Sequence, residues 1–483
     1  MQLTISPRTA SIGSVNISAL ARVTALDCGL LTGLPDARTL HNGSSDVAYS
    51  TSSLQNVESR LAIVVPCMNE SASILAGVLH GIPQHCLIVL VSNSNAENFA
   101  TETRLLSSFC QTARRAGLAV HQADPHLARA FVEAGLQQIT ANDDTGVPRI
   151  RNGKGEAMML GTALTHLANK EFVGFIDADN MTPGAVHEYC RVFAAGLLTA
   201  LSLPSPSSSP PESGAAGEEG PPLAMVRIKW ASKPKIADDK LVMTSEGRCS
   251  RVVNSWMNKL FSSLNKEFSQ NECDLIQTAN AGEHAMSTKL ALRLNFATGY
   301  AVEPFQFIDA WQRSGLLVPT PPDSPANLIF QDTQCEEATE PLVVAPAVDS
   351  LSSFFLPPTP PSSPPDSIFH LNQPEAHSLP AVVAPATAAL GRVNVMQVQT
   401  VNPHIHDFGK GDTHIKRMQA AGLSTILHSR LTPHALRQEL KKYMIEELGD
   451  GAEQTEVNVY PAMEGMDWRA FEKVVGDLGH ARE

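Results

Sequence analysis

Two carboxylates, Asp177 and Asp179, lie one residue apart at the end of an apolar run that covers residues 172–176. The run predicts a buried strand, which would deliver both carboxylates to the carboxyl edge of a sheet, where α/β proteins bind ligands. Two oxygen ligands at that edge suit Mg²⁺ or Mn²⁺ bridging a diphosphate. A single D-x-D motif is expected by chance in a chain of 483 residues, so its meaning depends on the other segments.

A basic loop precedes this strand. Lys154 lies between Gly153 and Gly155, with Arg149 and Arg151 just before them. Glycines let the backbone approach a ligand closely, and a lysine at the start of the helix predicted to follow would favour an anion. The spacing is not that of a Walker A loop. The alternative is a solvated basic loop.

Polar segments also follow the first two predicted strands. Pro66 ends the first strand, and the residues after it, up to Glu70, could grip a ligand at the sheet edge. The alternative is a capped helix start. Ser92 opens the segment Ser-Asn-Ser-Asn after the second strand, where small hydrogen-bonding groups could read a base or a ribose. A plain turn is the alternative there.

Two later segments are candidates for binding a second substrate. Residues 247–250 read Gly-Arg-Cys-Ser and open a predicted helix, which suits a phosphate or a carboxylate. Residues 280–286 read Asn-Ala-Gly-Glu-His-Ala-Met and form a polar turn predicted to precede a helix. Glu283 could orient a sugar hydroxyl there. Helix capping alone is the alternative for both segments.

Two histidines follow a late predicted strand. His404 and His406 alternate, so on an extended segment they share a face. One imidazole could join an aspartate on a metal ion. An unremarkable surface pair is the alternative.

The elements that must position these residues alternate between strands and helices from residue 61 onward. This alternation predicts an α/β fold with a mixed, mostly parallel sheet flanked by helices. Predicted strands cover 61–66, 86–91, 118–121, 172–176, 223–230 and 393–401. Predicted helices cover 71–79, 102–115, 125–139, 155–167, a segment opened by Pro183, 248–264, about 413–427 and about 432–447.

Two segments rich in proline and serine, 203–222 and 319–390, interrupt this pattern. Neither can bury enough apolar surface to offset its ordering entropy, so both are predicted to be disordered insertions. The remaining chain divides into four regions. These are an N-terminal segment packing on the core (1–60), a donor-binding half (61–202), an acceptor-binding half (223–318), and a histidine-bearing strand and loop with C-terminal helices (391–483).

Composition narrows the functional classes. The net charge is −13 and no long run of Lys or Arg occurs, so general nucleic-acid binding is not expected. The eight cysteines are scattered without a C-x-x-C motif, which indicates reduced thiols in a cytoplasmic protein. No run of 18 apolar residues and no secretory signal is visible, so no membrane span is expected.

In this order, the segments resemble the mannosyl-3-phosphoglycerate synthase family, whose members are retaining glycosyltransferases of the GT-A fold. The likeness covers most of the chain outside the two insertions. The residues that carry it are IVVPCMNE at 63–70, GVLHGIP at 77–83, VGFIDADN at 173–180, PGAV at 183–186, MVRI at 225–228, NAGEHAM at 280–286 and NPHIH at 402–406.

The resemblance implies transfer of mannose from GDP-mannose to the 2-hydroxyl of 3-phosphoglycerate, with Mg²⁺ or Mn²⁺ and with retention. The product would be a precursor of mannosylglycerate. The implied metal ligands are Asp179 and His406, and the implied catalytic residues are Asp177, Asp179, Lys154 and Glu283. The implied nucleotide-side contacts are Pro66, Glu70, Ser92, Lys154, Asp177 and Ala178, and the implied acceptor contacts are Gly247, Arg248, Cys249, Ser250 and Asn280.

The chain departs from the family pattern at a few positions. Cys249 replaces the usual valine of the acceptor loop, and Cys67 and Met68 replace a Thr-Arg pair after the first strand. No residue stands out as a nucleophile, which favours same-face attack. Alternatives are a glucosyl-3-phosphoglycerate synthase-like transferase with another donor, and an inactive sugar-nucleotide-binding scaffold. A homodimer is the general expectation.

Overall fold

A computed structural model describes residues 1–26, 37–41, 44–203, 222–237, 240–244, 247–265, 274–315, 389–405 and 411–479. All of them belong to one compact unit that spans Met1–Val318 and Ala388–Glu483. Both predicted insertions fall largely on residues 204–221 and 316–388, which lie outside the described ranges. Their predicted disorder therefore stays a prediction.

The described ranges contain the following strands and helices. The strands are β1 (Gln2–Ile5), β2 (Thr9–Ile12), β3 (Val15–Ser18), β4 (Ala21–Ala25), β5 (Ala37–His41), β6 (Ser44–Ala48), β7 (Leu61–Cys67), β8 (Leu87–Ser92), β9 (Gly117–His121), β10 (Thr140–Asn142), β11 (Pro148–Ile150), β12 (Phe172–Phe175), β13 (Leu223–Lys229), β14 (Lys233–Ala237), β15 (Lys240–Thr244), β16 (His284–Ser287), β17 (Phe296–Ala297), β18 (Val393–Gln399) and β19 (Val459–Tyr460). The α-helices are α1 (Thr51–Ser59), α2 (Ala72–Gly81), α3 (Ala96–Ala113), α4 (Pro125–Glu133), α5 (Lys154–Leu167), α6 (Pro183–Ser202), α7 (Arg248–Leu264), α8 (Thr288–Arg293), α9 (Val302–Gln312), α10 (Asp412–Leu427), α11 (His434–Tyr443) and α12 (Trp468–Gly479).

One 13-stranded sheet organises the protein, in the order β5-β6-β1-β4-β18-β13-β16-β12-β7-β8-β9, with β2 and β3 joined to it through β18. The neighbours β9, β8, β7 and β12 pair in parallel, as do β13 and β18. Strand β16 is antiparallel to both β12 and β13, so the two parallel groups point in the same direction. The carboxyl ends of these strands therefore meet at one edge of the sheet, which is where α/β sheets bind ligands.

Both faces of the central sheet are covered, and the sequence of β7 explains why. Its residues Leu61 to Val65 are all fully buried and alternate between two apolar clusters. Ala62 and Val64 pack in the cluster that contains α5, whereas Leu61, Ile63 and Val65 pack in the cluster that contains α6. A continuous apolar strand is the expected sequence for a position buried on both faces.

The predicted fold class is confirmed: a mixed, mostly parallel sheet flanked by helices. Strand and helix positions agree closely, and α7 begins and ends where it was expected. Three local predictions were wrong. Residues 284–286, predicted to be part of a polar turn, lie in the strand β16, although the helix predicted to follow that turn is present as α8. The polar loop before Lys154 contains the hairpin β10–β11, and the helix from Pro125 ends at Glu133. The N-terminal segment also contributes six strands to the sheet.

Within the described part of the chain, no helix has both the length and the apolar character that a membrane crossing requires.

Candidate active site

A cavity of about 390 Å³ opens at the carboxyl ends of β7, β8 and β12. Residues predicted from separate segments of the sequence line it together: Pro66, Glu70, Lys154, Asp177, Ala178 and Asp179. The cavity is also lined by the amides of Asn93, Gln122 and Asn152, and by Tyr300 and His414, whose rings meet edge to face at 5.4 Å. Carboxylates and an ammonium therefore share one cavity with a set of neutral amides.

Lys154 is held between two carboxylates. It is the first residue of α5, and its Nζ lies 2.5 Å from Asp177 Oδ1 and 2.9 Å from Glu303 Oε1. Burial by itself lowers the pKa of Lys154, but Asp177 and Glu303 outweigh burial and raise this pKa well above its ordinary value. The lysine is therefore positively charged in the cavity wall.

Gly282 makes room for this ion pair. A Cβ atom at position 282 would lie 2.6 Å from Asp177 Oδ2 and 2.8 Å from Lys154 Nζ. Any side chain there would displace the pair, so the glycine is required by close approach. The neighbouring Asn280 and Ala281 line a second, smaller cavity. The segment 280–282 thus separates the two cavities.

Of the three basic side chains in this loop, only that of Lys154 lines the cavity. Arg149 pairs with Asp143 at 3.1 Å, and Arg151 Nε donates to the carbonyl of Gln138 at 3.3 Å. A side chain at Gly155 would collide with the carbonyl oxygen of Ala297, so this glycine permits close packing within the protein.

Ser92 is fully buried and lies outside the residues that line the cavity. Its hydroxyl donates to Glu102 Oε2 at 2.5 Å, while Ser94 donates to Glu102 Oε1 at 2.6 Å. The Asn69 N–H in turn donates to Ser94 Oγ at 2.7 Å. Glu102 therefore braces the loops that follow β7 and β8. The predicted nucleotide contact of Ser92 stays a prediction.

The Glu283 side chain is completely buried, directly after the segment 280–282 that separates the two cavities. Trp230 Nε1 donates to Glu283 Oε2 at 2.8 Å, and His404 Nδ1 lies 3.7 Å from Glu283 Oε1. Burial first, and then the charge of Asp177, raises the pKa of Glu283 to about 8, against the opposing effects of Lys154 and Trp230. Near neutral pH this carboxyl is therefore largely protonated.

This raised pKa predicts a pH dependence of stability. Between the ordinary value of 4.5 and about 8, the folded protein holds a proton on Glu283 that the unfolded chain has lost. Stability then falls as pH rises through this window. We expect the free energy of unfolding to fall less between pH 5 and pH 8 in the Glu283→Gln variant than in wild type. Urea titration of both proteins, each without metal, measures this difference. Glu97→Gln, at an exposed position of α3, should follow wild type. Parallel curves for wild type and Glu283→Gln would contradict the assignment.

His404 belongs to the same buried cluster. Its ring stacks on Trp230 with centroids 4.2 Å apart, and Tyr189 Oη and Asn180 Nδ2 each lie 3.3 Å from its Nδ1. His404 thus contacts Asn180, which directly follows Asp179, and Tyr189 of α6. His406 lies outside the described residues, so its role as a metal ligand stays a prediction.

The donor atoms at the cavity fit a hard divalent cation. Asp177 and Asp179 both line it, and carboxylate oxygens are the ligands that Mg²⁺ and Mn²⁺ prefer. Among the described residues, no three side chains of His, Cys, Asp or Glu assemble into a complete metal site. Two carboxylates in one cavity match Mg²⁺ sites in which one or two carboxylates share the ion with substrate phosphates.

The smaller cavity, about 20 Å³, brings together most of the predicted acceptor residues. Gly247, Ser250 and Asn280 line it, together with Lys229 and Trp230. Gly247 is the N-cap of α7, so the start of this helix borders the cavity, and helix starts favour anions.

Two predicted acceptor residues lie outside this lining. Arg248 is half exposed and its Nη1 pairs with Asp412 at 2.5 Å, whereas the Cys249 side chain is buried. Asn280 is only 8% exposed, and its Oδ1 accepts no hydrogen bond from any described residue.

Sequence reasoning missed Glu303, Gly282 as a spacer, and Trp230. An acid at the start of the mostly apolar helix VEPFQFIDAWQ was the available signal for Glu303. Nothing local marked the other two, because their roles depend on which segments meet.

Comparison with known proteins identifies relatives along nearly the whole chain. The family model described as mannosyl-3-phosphoglycerate synthase matches residues 5–475. The mannosyl-3-phosphoglycerate synthase of Pyrococcus furiosus is 29% identical over 468 residues, covering 96% of this chain and 94% of that protein. The mannosyl-3-phosphoglycerate synthase of Aeropyrum pernix is 28% identical over 451 residues, covering 93% and 89%.

Among solved structures, glucosyl-3-phosphoglycerate synthase from Mycobacterium tuberculosis, in complex with Mn²⁺, UDP-glucose and phosphoglyceric acid, aligns with a TM-score of 0.40 and 17% identity. The alignment covers 83% of this chain and 90% of that one. Since the family model spans residues 5–475, the chain belongs to the mannosyl-3-phosphoglycerate synthase family.

Proposed function

We propose that this glycosyltransferase moves a mannosyl group from GDP-mannose to the 2-hydroxyl of 3-phosphoglycerate, with the α configuration retained. The observation that carries this proposal is the position of segment 280–282. Asn280 and Ala281 line the smaller cavity, and Gly282 packs on the Lys154–Asp177 pair of the larger one. Donor and acceptor cavities that are both bordered by the segment 280–282 suit a direct transfer between two bound substrates.

The larger cavity would hold the donor. Asp177 and Asp179 would carry a divalent cation, with His406 as a further ligand, and that cation would supply Lewis-acid stabilisation of the departing diphosphate. Lys154 adds a fixed positive charge at the same place. Pro66, Glu70 and Ala178, which line this cavity, would contact the nucleotide, whereas the buried Ser92 would act indirectly through the loops that Glu102 holds.

The smaller cavity would border the acceptor site and receive one end of the acceptor, since its volume of about 20 Å³ has room for little more than one water. Gly247, Arg248, Cys249 and Ser250 at the start of α7 would receive the acceptor's phosphate and carboxylate, because backbone N–H groups at a helix start bind anions. Asn280 Oδ1, buried without a described hydrogen-bond donor, could accept from the acceptor hydroxyl. These assignments follow the division into a donor half (61–202) and an acceptor half (223–318).

Retention would proceed by same-face attack. The bond between the anomeric carbon and the diphosphate oxygen breaks, the acceptor oxygen bonds to that carbon, and the hydroxyl proton passes to the departing phosphate. Glu283 does not suit the role of nucleophile, because its pKa of about 8 keeps it largely protonated near neutral pH. Glu283 would instead hold the segment 280–282 in position through its hydrogen bond with Trp230.

The cellular setting we propose is the cytoplasm. Cys67, Cys86, Cys110 and Cys190 are thiols without a disulfide, which suits a reducing compartment.

The deciding experiment is product formation by the purified protein from GDP-mannose and 3-phosphoglycerate with Mg²⁺ or Mn²⁺. We expect a mannosylated product with the α configuration, and its loss when the cation is chelated. GDP-glucose, UDP-glucose and UDP-mannose form the donor panel. Faster turnover with UDP-glucose would replace the donor assignment, and no product with any donor would favour an inactive binding protein.

Arg248 offers a test of the acceptor side. We expect Arg248→Ala to raise KM for 3-phosphoglycerate about tenfold or more, because hydrogen bonds to charged groups contribute about 1.5–3 kcal/mol. KM for the donor should stay unchanged. Arg60→Ala is the matched control, since Arg60 forms a similarly exposed ion pair with Glu171 at 2.8 Å. Arg60 directly precedes β7 and Glu171 directly precedes β12. Equal effects on both substrates would contradict the acceptor role.

A further inference from the structure

We propose that Glu188 of α6 is a positioning residue that sets the affinity of the donor site for its divalent cation, by holding the loop 401–405 against the D-x-D segment. This inference rests on the proposed function, because it concerns the same site. It assigns a role to a residue that lies outside both cavities.

Among the described residues, the hydrogen bonds to the Glu188 side chain come from the loop that follows β18. Its Oε1 accepts from the Val401 N–H at 2.6 Å, and its Oε2 accepts from the Asn402 N–H at 2.8 Å and from Asn402 Nδ2 at 2.9 Å. The residue is only 1% exposed. Hydrogen bonds to an ionised carboxylate are roughly twice as strong as those between neutral groups.

The far end of the same loop contacts the D-x-D segment. The Met181 N–H donates to the Ile405 carbonyl at 2.7 Å, and Met181 is only two residues after Asp179. Between these attachments, the His404 N–H donates to the Ser232 carbonyl at 2.9 Å, which ties the loop to the stretch after β13.

These hydrogen bonds fix the loop 401–405 at both of its ends. Met181 and Glu188 belong to one continuous stretch, the D-x-D segment and the start of α6, and they grip the loop at 405 and at 401–402 respectively. The loop therefore fixes the backbone that carries Asp179 relative to α6. It also leads directly to His406, the next residue in the sequence.

The packing of α6 on the core does not by itself explain a carboxylate at position 188. Helix α6 already buries apolar residues along its length, among them Val186, Tyr189, Val192 and Phe193. A buried carboxylate is costly unless its hydrogen bonds are satisfied. The observed groups that satisfy Glu188 are the loop N–H donors, so its acid group is explained by the loop. Groups that orient metal ligands from outside the site typically change metal affinity 10- to 100-fold when they are removed.

The test is Mn²⁺ binding to the full-length protein in the presence of GDP, by calorimetry or electron paramagnetic resonance, because the proposed site shares its ion with a diphosphate. Glu188→Gln keeps the shape but places an NH₂ group against a loop N–H donor. We expect the Mn²⁺ dissociation constant to rise about tenfold or more. Hydrogen exchange at Met181, Val401 and Asn402 should become faster in this variant.

Glu58→Gln is the matched control. Glu58 is also 1% exposed, and it pairs at 3.1 Å with Arg191, three residues beyond Glu188 on α6. It should lower Tm to a similar extent without changing Mn²⁺ affinity. Asn402→Ala removes one of the three hydrogen bonds and keeps the proposal testable should Glu188→Gln fail to fold. It should weaken Mn²⁺ binding in the same direction and less.

Two outcomes would overturn the inference, and they are distinguishable. Wild type that binds Mn²⁺, with variants at 188 and 402 that bind it equally well, would refute the positioning role alone. Wild type without any Mn²⁺ binding would refute the metal assignment of the proposed function, and the present inference with it.

Discussion

Asp179→Ala is expected to lose metal-dependent turnover by about a thousandfold or more while the protein stays folded. Asp179 lines the donor cavity beside Asp177, at the place where the departing diphosphate would gain charge. Removing one preorganised charge-stabilising group typically costs about 10²–10³ in rate, and loss of a metal ligand removes the ion's stabilisation as well. The measurement is kcat against Mg²⁺ concentration.

Asp144→Ala is the control for this prediction, because Asp144 is exposed in the turn between β10 and β11. It should match wild type in kcat and in its Mg²⁺ dependence. Circular dichroism and Tm establish that Asp179→Ala is folded. Wild-type turnover in the folded Asp179→Ala variant would refute the metal assignment.

Lys154→Met is expected to lower both stability and turnover. Without the ammonium, Asp177 and the nearly buried Glu303 carboxylate are left without their shared partner. Removing one member of a buried ion pair typically destabilises a protein by about 3–5 kcal/mol, because the other charge stays buried. Turnover should fall by about 10²–10³, since a fixed positive charge at the departing diphosphate is lost. Urea unfolding and steady-state kinetics measure the two effects.

A double variant separates the two effects of Lys154. Lys154→Met/Glu303→Gln removes the buried charge together with its partner, so much of the lost stability should return while turnover stays low. Glu303→Gln alone leaves the Asp177–Lys154 contact and should be milder in both measurements. Recovery of turnover along with stability in the double variant would show that Lys154 acts only through folding.

The local part of the donor site could be predicted from sequence. An apolar run followed by polar residues predicts a buried strand and its exposed end, and this placed Pro66, Glu70, Asp177 and Asp179 at one sheet edge. Lys154 was predicted for a similar reason, because a glycine-flanked lysine before a helix is a pattern of adjacent residues. Local patterns also predicted several helices, including α7, but α1, α9 and α12 were not predicted.

Predictions failed where a segment's conformation depends on distant partners. Residues 284–286 belong to a segment that was predicted to be a polar turn, yet they lie in a strand between β12 and β13. Pairing on both sides outweighs local preference there, since burial and cross-strand contacts decide much of strand stability. The hairpin β10–β11 was missed because each strand has only three residues.

Residue types and short spacings were enough to indicate an α/β fold with an acidic pair and a lysine at the edge of its sheet, and the family resemblance added the nucleotide sugar. The partners of those residues came from the folded chain: Glu303 against Lys154, Gly282 as the spacer for the ion pair, Trp230 beside Glu283, and Glu188 on the loop 401–405. Side-chain pattern follows from neighbours in the chain, whereas contact between remote segments follows from strand pairing and from packing on both faces of the sheet. No short window of residues contains that information.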